Sequence, residues 1–481
     1  MTQLQDDKEL PHLSSDQLSP DQLSAYYSGK RLLRNEIHIQ EAYFQWLLSK
    51  QYFIPVPAIK RKFFHYTCQR CGNSRRSLFG DIPCASCGET HVYCRKCIMM
   101  GRVLACDFLY YWNGPVIERT LLQYEPCTWE GTLTSTQEKA ANRIVKAIQL
   151  QEKELLIWAV CGSGKTEMLF AGISEGLKKG LRVCIATPRT DVVQELKPRI
   201  QQAFSSIPIE ALYGGSNGTE AKAQLIISTT HQLLRFQEAF DIMIIDEIDA
   251  FPFHSDPSLL FAVQRSRKLK STSIYLTATP RKQQQMQILL KQLPHFFVPV
   301  RYHGHPLPVP YMKMSISLKK DVQNNHPPVS FVSWLKKRKN PNRQLLIFVP
   351  TISLVESLLA SVTKLLLQEQ MIKNKFEIAS VYANDGARVE KVQAFRDKKL
   401  VAIMTTTILE RGVTFPSVDV AIFDAGHDVF DEAALVQIAG RAGRSAEDPK
   451  GEVVFFHDGK TEAMIKAVEM IKEMNKRIAD Y

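Results

Sequence analysis

The sequence predicts an α/β protein: two tandem units, each a parallel sheet wrapped by helices, behind a small cysteine-rich zinc-binding domain. Three observations predict it. Short continuous apolar runs alternate with helical patterns from about residue 130 onward, and a proline-spaced stretch interrupts that alternation near its middle. Six of the ten cysteines fall between residues 68 and 97 as three Cys-x-x-Cys pairs. The 481 residues suit about three domains. A hydrophobic fraction of 45% and a charged fraction of 23% exclude wholesale disorder. No run approaches the roughly 18 apolar residues of a membrane-spanning helix.

The first residues, Met1-Thr2-Gln3-Leu4-Gln5-Asp6-Asp7, are polar and acidic, without the basic patch and apolar core of a secretion signal. A cytoplasmic chain is expected. Residues 1–60 form the first segment, polar and then rich in apolar and aromatic side chains (Tyr43-Phe44-Gln45-Trp46-Leu47-Leu48). The apolar positions from Glu36 to Leu48 fit an amphipathic helix, a small helical cap with a docking segment as the alternative.

Residues 61–128 hold the cysteine pairs, which in a cytoplasmic chain point to metal ligation rather than disulfides. Cys68-x-x-Cys71, Cys84-x-x-Cys87 and Cys94-x-x-Cys97 offer six thiols where tetrahedral Zn²⁺ takes four. Cys71-Gly72 and Cys87-Gly88 have the knuckle form. Cys106, Cys127, Cys161 and Cys184 read as structural. Residues 61–105 carry eight Lys/Arg against two Asp/Glu. Such a surplus suits a phosphate-contacting platform, with Phe63, Phe64, Tyr66 and Tyr93 as stacking faces or, alternatively, as the small core.

Residues 129–300 make the first α/β unit, with apolar runs at 155–160, 183–186, 225–228, 242–245 and 273–276. Such runs separated by helices are strands covered on both faces. Residues 301–312, which include His303-Gly304-His305-Pro306-Leu307-Pro308-Val309-Pro310, read as a linker. Residues 313–481 make the second unit, with runs at 345–349, 378–381, 401–404, 420–423 and 453–456. The basic run Lys336-Lys337-Arg338-Lys339 reads as a solvated loop. The net charge of +12 suits polyanions such as nucleic acid or an anionic membrane surface.

Chemistry enters with Cys161-Gly162-Ser163-Gly164-Lys165-Thr166, between a strand and a helix. Small residues let the backbone wrap the phosphates of ATP, Lys165 reaches the β- and γ-phosphates, and Thr166 ligates Mg²⁺. Ala159 stands where the strict pattern has glycine. Asp246 and Glu247 end an apolar strand, to hold Mg²⁺ and to polarise the attacking water. Gln437, Arg441 and Arg444 are spaced i, i+4, i+7, which predicts one helix face presenting an amide and two guanidinium groups to the nucleotide. Gly440 and Gly443 weaken a helix by roughly 1 kcal/mol each, a cost that argues for function.

In this order the motifs resemble those of the superfamily 2 helicases of DEAD/DEAH type, whose fold implies two RecA-like domains. Gln137 resembles the adenine-contacting glutamine; Pro188, Arg189, Thr229 and Thr230 resemble strand-backbone motifs. Thr277 and Thr279 resemble the coupling motif. Thr406, Thr407 and Gly412 belong to a stretch resembling the motif that touches both strand and nucleotide. With the cysteines in front, the stretches 158–167, 249–252 and 408–414 resemble the ComFA family of late-competence DNA-uptake ATPases.

That resemblance implies zinc held by Cys68, Cys71, Cys94 and Cys97, with Cys84 and Cys87 an extra pair. It implies an ATP-driven motor on single-stranded DNA. It also implies a place at the inner face of the cytoplasmic membrane, peripheral to it, with the DNA channel ComEC and other competence proteins as partners. The alternatives are a replication-restart helicase and a nucleotide-gated DNA-binding scaffold.

Overall fold

A computed structural model describes residues 18–63, 65–85, 87–117, 119, 121–216 and 223–480. Phe64 and the acidic first residues lie outside them. Contacts divide the chain into two compact units. One holds the residues up to Trp129 with Ala147–Lys153 and Ile173–Ile274; the other holds Glu130–Lys146, Glu154–Gly172 and Tyr275 onward.

Every apolar run becomes a strand. A seven-stranded sheet has the order Ile209–Leu212, Leu225–Thr229, Val183–Thr187, Phe240–Ile245, Arg267–Thr277, Glu154–Ala159, His295–Val298. A six-stranded sheet has the order Tyr311–Met314, Val453–His457, Val418–Ile422, Gln344–Phe348, Ala402–Thr405, Ile378–Val381. The registered pairs in both are parallel. In these two sheets, three strands among the described residues escape the apolar-run criterion: Ile209–Leu212, His295–Val298 and Tyr311–Met314. All three are sheet edges. An edge strand has a neighbour on one side alone and tolerates polar residues, such as His295 and Lys313.

The proline-spaced stretch 301–312 is therefore not a linker throughout. Its end enters Tyr311–Met314, which pairs with Val453–His457, and its start, Arg301, is 1% exposed.

Near the amino terminus the helix begins at Glu41, not Glu36. Ile37 and Ile39 are buried while His38 and Gln40 are exposed, an alternation that belongs to extended chain. Glu36 is drawn off into ion pairs with Arg70 and Arg235, both 2.7 Å long. The segment is also more than a helical cap. Arg31–Leu33 and Phe53–Pro57 flank Phe108–Trp112 in an antiparallel sheet. Phe44, Leu47, Phe53 and Trp112 share its core. The cysteine hairpins are thus inserted into this small domain, and the division at residue 60 falls inside it.

The basic run at 336–339 needs a second correction. Arg338 is buried, pairing with Asp419 at 2.8 Å, and the two side chains are 1% and 0% exposed. Arg343 reaches the same carboxylate at 3.4 Å and Asp448 at 2.6 Å. A buried charge persists when paired, and removing one partner strands the other. Asp419→Ala should therefore lower stability by about 3–5 kcal/mol in urea unfolding. The Arg338→Met/Asp419→Leu double variant should recover part of that loss. A loss for Asp419→Ala below about 1 kcal/mol would mean the pair is solvated in effect.

Candidate nucleotide site and cysteine clusters

The strand Glu154–Ala159 delivers the chain into a tight loop, and the helix Lys165–Lys178 leaves it. Ala159 closes the strand and is buried. Gly162 and Gly164 have φ of +81° and +74°, a region that disfavours any side chain. At Gly164 a Cβ would also lie 2.3 Å from Gln137 Nε2. Ser163 Oγ is fully buried with no hydrogen-bond partner among the described residues, and Thr166 is buried at the first turn of the helix. An orphaned hydroxyl beside the amides of a helix N-terminus fits an anion such as a phosphate. Gln137 closes on the same loop: Nε2 donates to Ser163 O at 2.8 Å, and Oε1 accepts from Thr134 N at 2.8 Å. An adenine contact by Gln137 requires exchange of those bonds.

The same unit holds the arginine segment, with a different geometry from the predicted helix face. The helix Glu432–Ala439 stops at Gly440, and Gly443 turns the chain at φ +62°. Gln437 is helical, but Arg441 and Arg444 follow the helix end. A Cβ on Gly440 would lie 2.4 Å from Cys161 Cβ, so the glycine is required by close approach to the loop. Cys161 Sγ donates to Gln437 Oε1 at 3.0 Å.

Arg301 ties the two pieces together. Its Nη2 donates to Gly440 O at 3.2 Å and Ala442 O at 2.9 Å, and its Nη1 donates to Gly443 O. Burial brings its guanidinium down to about 10, so it remains charged at neutral pH. The next residue completes the clamp: Tyr302 N donates to Gly162 O at 3.0 Å, and Tyr302 Oη to Arg444 O at 3.2 Å. Nothing in the sequence marks these two residues, because their partners lie about 140 positions away on either side.

Arg441 is buried, with Nε donating to Glu410 O at 3.0 Å and Nη1 to Val413 O. Arg444 Nη1 reaches Val413 O at 3.4 Å and Thr414 Oγ1 at 3.3 Å. Both arginines thus meet the loop that follows Thr406, Thr407 and the turn at Gly412, whose φ is +70°. Thr277 and Thr279 are buried in this unit, and Thr279 N donates to Thr277 Oγ1 at 3.0 Å. Between them, Ala278 O accepts from Trp158 Nε1 at 3.1 Å, in the strand that leads to the phosphate loop.

In the other unit, Asp246 and Glu247 follow the strand Phe240–Ile245. Asp246 N donates to Ala186 O, and Glu247 N to Asp246 Oδ1, both at 2.8 Å. Glu247 has φ +55°, a left-handed conformation that costs a non-glycine residue of order 1–3 kcal/mol and gathers at functional sites. Thr187 pairs in register with Thr229, and Thr230 N donates to Thr187 O at 2.9 Å. Pro188, Arg189, Thr229 and Thr230 therefore sit at neighbouring strand ends. Arg189 is gripped by Asp191 at 2.7 Å.

Cys68, Cys71, Cys94 and Cys97 converge with their sulfurs within 4.8 Å of one another, all buried. The closest pairs are 3.7 and 3.6 Å apart. Zinc–sulfur bonds of about 2.3 Å in a tetrahedron place sulfurs about 3.8 Å apart, so the donor set fits Zn²⁺. The cluster is docked on its own unit. Arg265 Nη1 donates to Gln69 O at 2.6 Å and Arg70 O at 2.8 Å, and Lys96 pairs with Asp256 at 2.9 Å. Burial pushes the Arg265 guanidinium down to about 9. A Cβ on Gly72 would lie 2.8 Å from the Phe261 ring. Of the candidate stacking residues, Phe63 is 83% exposed, whereas Tyr66 is half-buried and packs on Phe79 at 5.8 Å. Cys106, read from the sequence as structural, lies with Cys84 and Cys87, their sulfurs within 4.8 Å of one another.

Comparison with known proteins follows this layout. The family "Competence protein ComFA N-terminal domain" matches residues 15–111. "Type III restriction enzyme, res subunit" matches 130–282, and "Helicase conserved C-terminal domain" matches 329–446. Competence protein ComFA of Bacillus subtilis (strain 168) is 44% identical over 94% of each chain. The ComFA of Streptococcus pneumoniae (strain ATCC BAA-255 / R6) is 37% identical over 94% of this chain and 98% of that one. Among solved structures, S. cerevisiae Dbp5 bound to RNA and ADP BeF3 aligns with TM-score 0.51 at 16% identity, over 71% of this chain and 88% of that one. Mycobacterium smegmatis helicase Lhr bound to ssDNA and AMP-PNP gives TM-score 0.51 at 16% identity, over 72% and 50%. The likeness to these two is one of fold.

If Arg301 holds the phosphate loop in shape, Arg301→Ala should weaken binding of a fluorescent ATP analogue on the order of tenfold, about 1.4 kcal/mol. Arg301→Lys should rescue little, since one ammonium cannot reproduce a planar fork serving three carbonyls. An unchanged Kd in the alanine variant would show that the loop does not depend on this clamp.

Proposed function

The chain belongs to the ComFA competence family, its helicase domains imply ATP hydrolysis, and on that premise we propose an ATP-driven motor on single-stranded DNA that draws transforming DNA inward during competence. The observation that carries this reading is the joining, within one unit, of the phosphate loop to the Gln437–Arg444 segment. Cys161 bonds Gln437, and Arg301 and Tyr302 hold both pieces. A generic nucleotide-binding loop has no need of such a partner, whereas a motor must make hydrolysis depend on a second element.

Bound Mg·ATP would supply the phosphoanhydride. Lys165 would neutralise the β- and γ-phosphates, with Gly162, Ser163 and Gly164 donating around them. Thr166 and Asp246 would hold Mg²⁺, and Glu247 would orient the attacking water. Gln437, Arg441 and Arg444 would stabilise charge on the transferring phosphoryl group. For Arg441 and Arg444 this means trading the carbonyls of Glu410 and Val413 for phosphate oxygens, so that turnover pulls on the 410–414 loop. Thr277, Thr279 and Gly412 would carry that movement to the strand contacts, with Pro188, Arg189, Thr229, Thr230, Thr406 and Thr407 on the DNA backbone.

The four buried cysteines would hold Zn²⁺ and keep the basic amino-terminal domain rigid. Family resemblance supports a place beside the membrane DNA channel ComEC. Among the described residues no helix is long and apolar enough to cross a membrane.

Lys165→Ala should abolish ATP turnover while leaving DNA binding intact; turnover at the parental rate would defeat the assignment. With about five phosphates contacted, single-strand affinity should fall roughly 100-fold between 50 and 200 mM salt, at about 0.7 per phosphate. A salt-independent affinity removes the backbone-contact reading. Strong displacement of a strand from a fork, with weak stimulation by bare single strands, would favour a restart helicase instead.

A further inference from the structure

Apart from the four buried cysteines, Cys84, Cys87 and Cys106 bring three sulfurs within 4.8 Å of one another. His91 Nε2 lies 3.1 Å from Cys87 Sγ. Two pieces of chain build this group. Phe79–Pro83 and Thr90–Cys94 form an antiparallel hairpin whose tip carries Cys84 and Cys87, with His91 on the returning strand opposite Ile82. The third sulfur arrives from a segment running beside that strand: Leu104 bridges Tyr93, and Ala105 N donates to Val92 O at 2.8 Å. Asp107 fixes the turn by accepting from Leu104 N at 2.7 Å.

The hairpin tip repeats the backbone bonding of the first knuckle. In Cys68-x-x-Cys71, Gly72 N donates to Cys68 O and Cys68 N to Asn73 O, both at 2.9 Å. In Cys84-x-x-Cys87, Gly88 N donates to Cys84 O at 2.9 Å and Cys84 N to Glu89 O at 2.8 Å. The glycine φ values agree, +71° and +75°. At Gly72 a neighbouring ring also excludes a side chain, but at Gly88 a Cβ would meet no atom of the described residues within 4 Å, its chain neighbours aside. Conformation alone calls for glycine at the second tip, as a knuckle closing on a metal requires.

The base of the hairpin is held at Cys94 by the four-cysteine cluster, but its tip has little apolar packing. Among the described residues of 79–94, the buried apolar side chains are Phe79, Cys84 and Cys94. A two-stranded hairpin with so small a core is marginal in water, and small domains of this kind rely on metals.

We propose that this chain binds a second Zn²⁺, distinct from the four-cysteine site, through Cys84, Cys87 and Cys106 with His91 as the fourth ligand. Three sulfurs and one imidazole are a tetrahedral donor set that suits this borderline-soft ion. The metal pins the exposed hairpin tip to the turn at Cys106.

Elemental analysis of the full-length chain, equilibrated with Zn²⁺ and desalted, should give two zinc ions per chain. The Cys87→Ser/Cys106→Ser double variant should keep one. A single zinc in the parent chain, or two retained in the double variant, overturns the proposal. Should the double variant lose both ions, Co²⁺ substitution of the parent against His91→Cys decides the matter. An increase in thiolate-to-cobalt charge-transfer absorbance equivalent to one added Co–S bond supports the site, and an unchanged spectrum overturns it.

Discussion

A helix that ends must place its last carbonyls somewhere, and the helix Glu432–Ala439 ends inside the protein. Beyond it the chain bends through Gly440 and Gly443, and Arg301 takes up the carbonyls of Gly440, Ala442 and Gly443. One planar cation thereby fixes a turn that neither helix nor sheet could satisfy. The adjoining peptide bonds Gly162 at the phosphate loop, so the loop and the arginine segment share a single anchor. The orientations of Gln437, Arg441 and Arg444 all follow from where that turn is held. In a buried setting, a charged donor shared among carbonyls is strong and costly to lose.

The amino-terminal domain obeys a similar rule within its own unit. Arg70, fully buried, meets Glu36, and Arg265 from the helix Pro257–Ser266 caps the carbonyls of Gln69 and Arg70 in the first knuckle. That helix follows closely on Asp246 and Glu247 in the chain. The cysteine domain is thus bonded to the segment carrying the acidic pair, not strung ahead of it on a tether.

Much of this was legible in local sequence. Central strands are covered on both faces and write themselves as unbroken apolar runs, which is why the runs at 155–160, 242–245 and 345–349 were found. The edge strands Ile209–Leu212, His295–Val298 and Tyr311–Met314 carry no such mark. The glycine-rich loop is legible because its geometry needs residues that few other settings tolerate. The i, i+4, i+7 spacing of Gln437, Arg441 and Arg444 misled because periodicity presumes an unbroken helix, and Gly440 ends it where Cys161 approaches. Lys336–Lys339 looked solvated because charge is a local property, while the burial of Arg338 depends on Asp419, 81 residues away.

By itself, then, the sequence determined the two parallel sheets, the phosphate loop, the acidic pair and the presence of a cysteine-rich region, all of them set by neighbours within a few residues. Tertiary structure alone decided that Cys106 joins Cys84 and Cys87, where the two arginines rest, and that Arg301 belongs to the site. Those outcomes depend on contacts between chain segments tens to hundreds of residues apart, and no local pattern encodes a partner that only folding brings near.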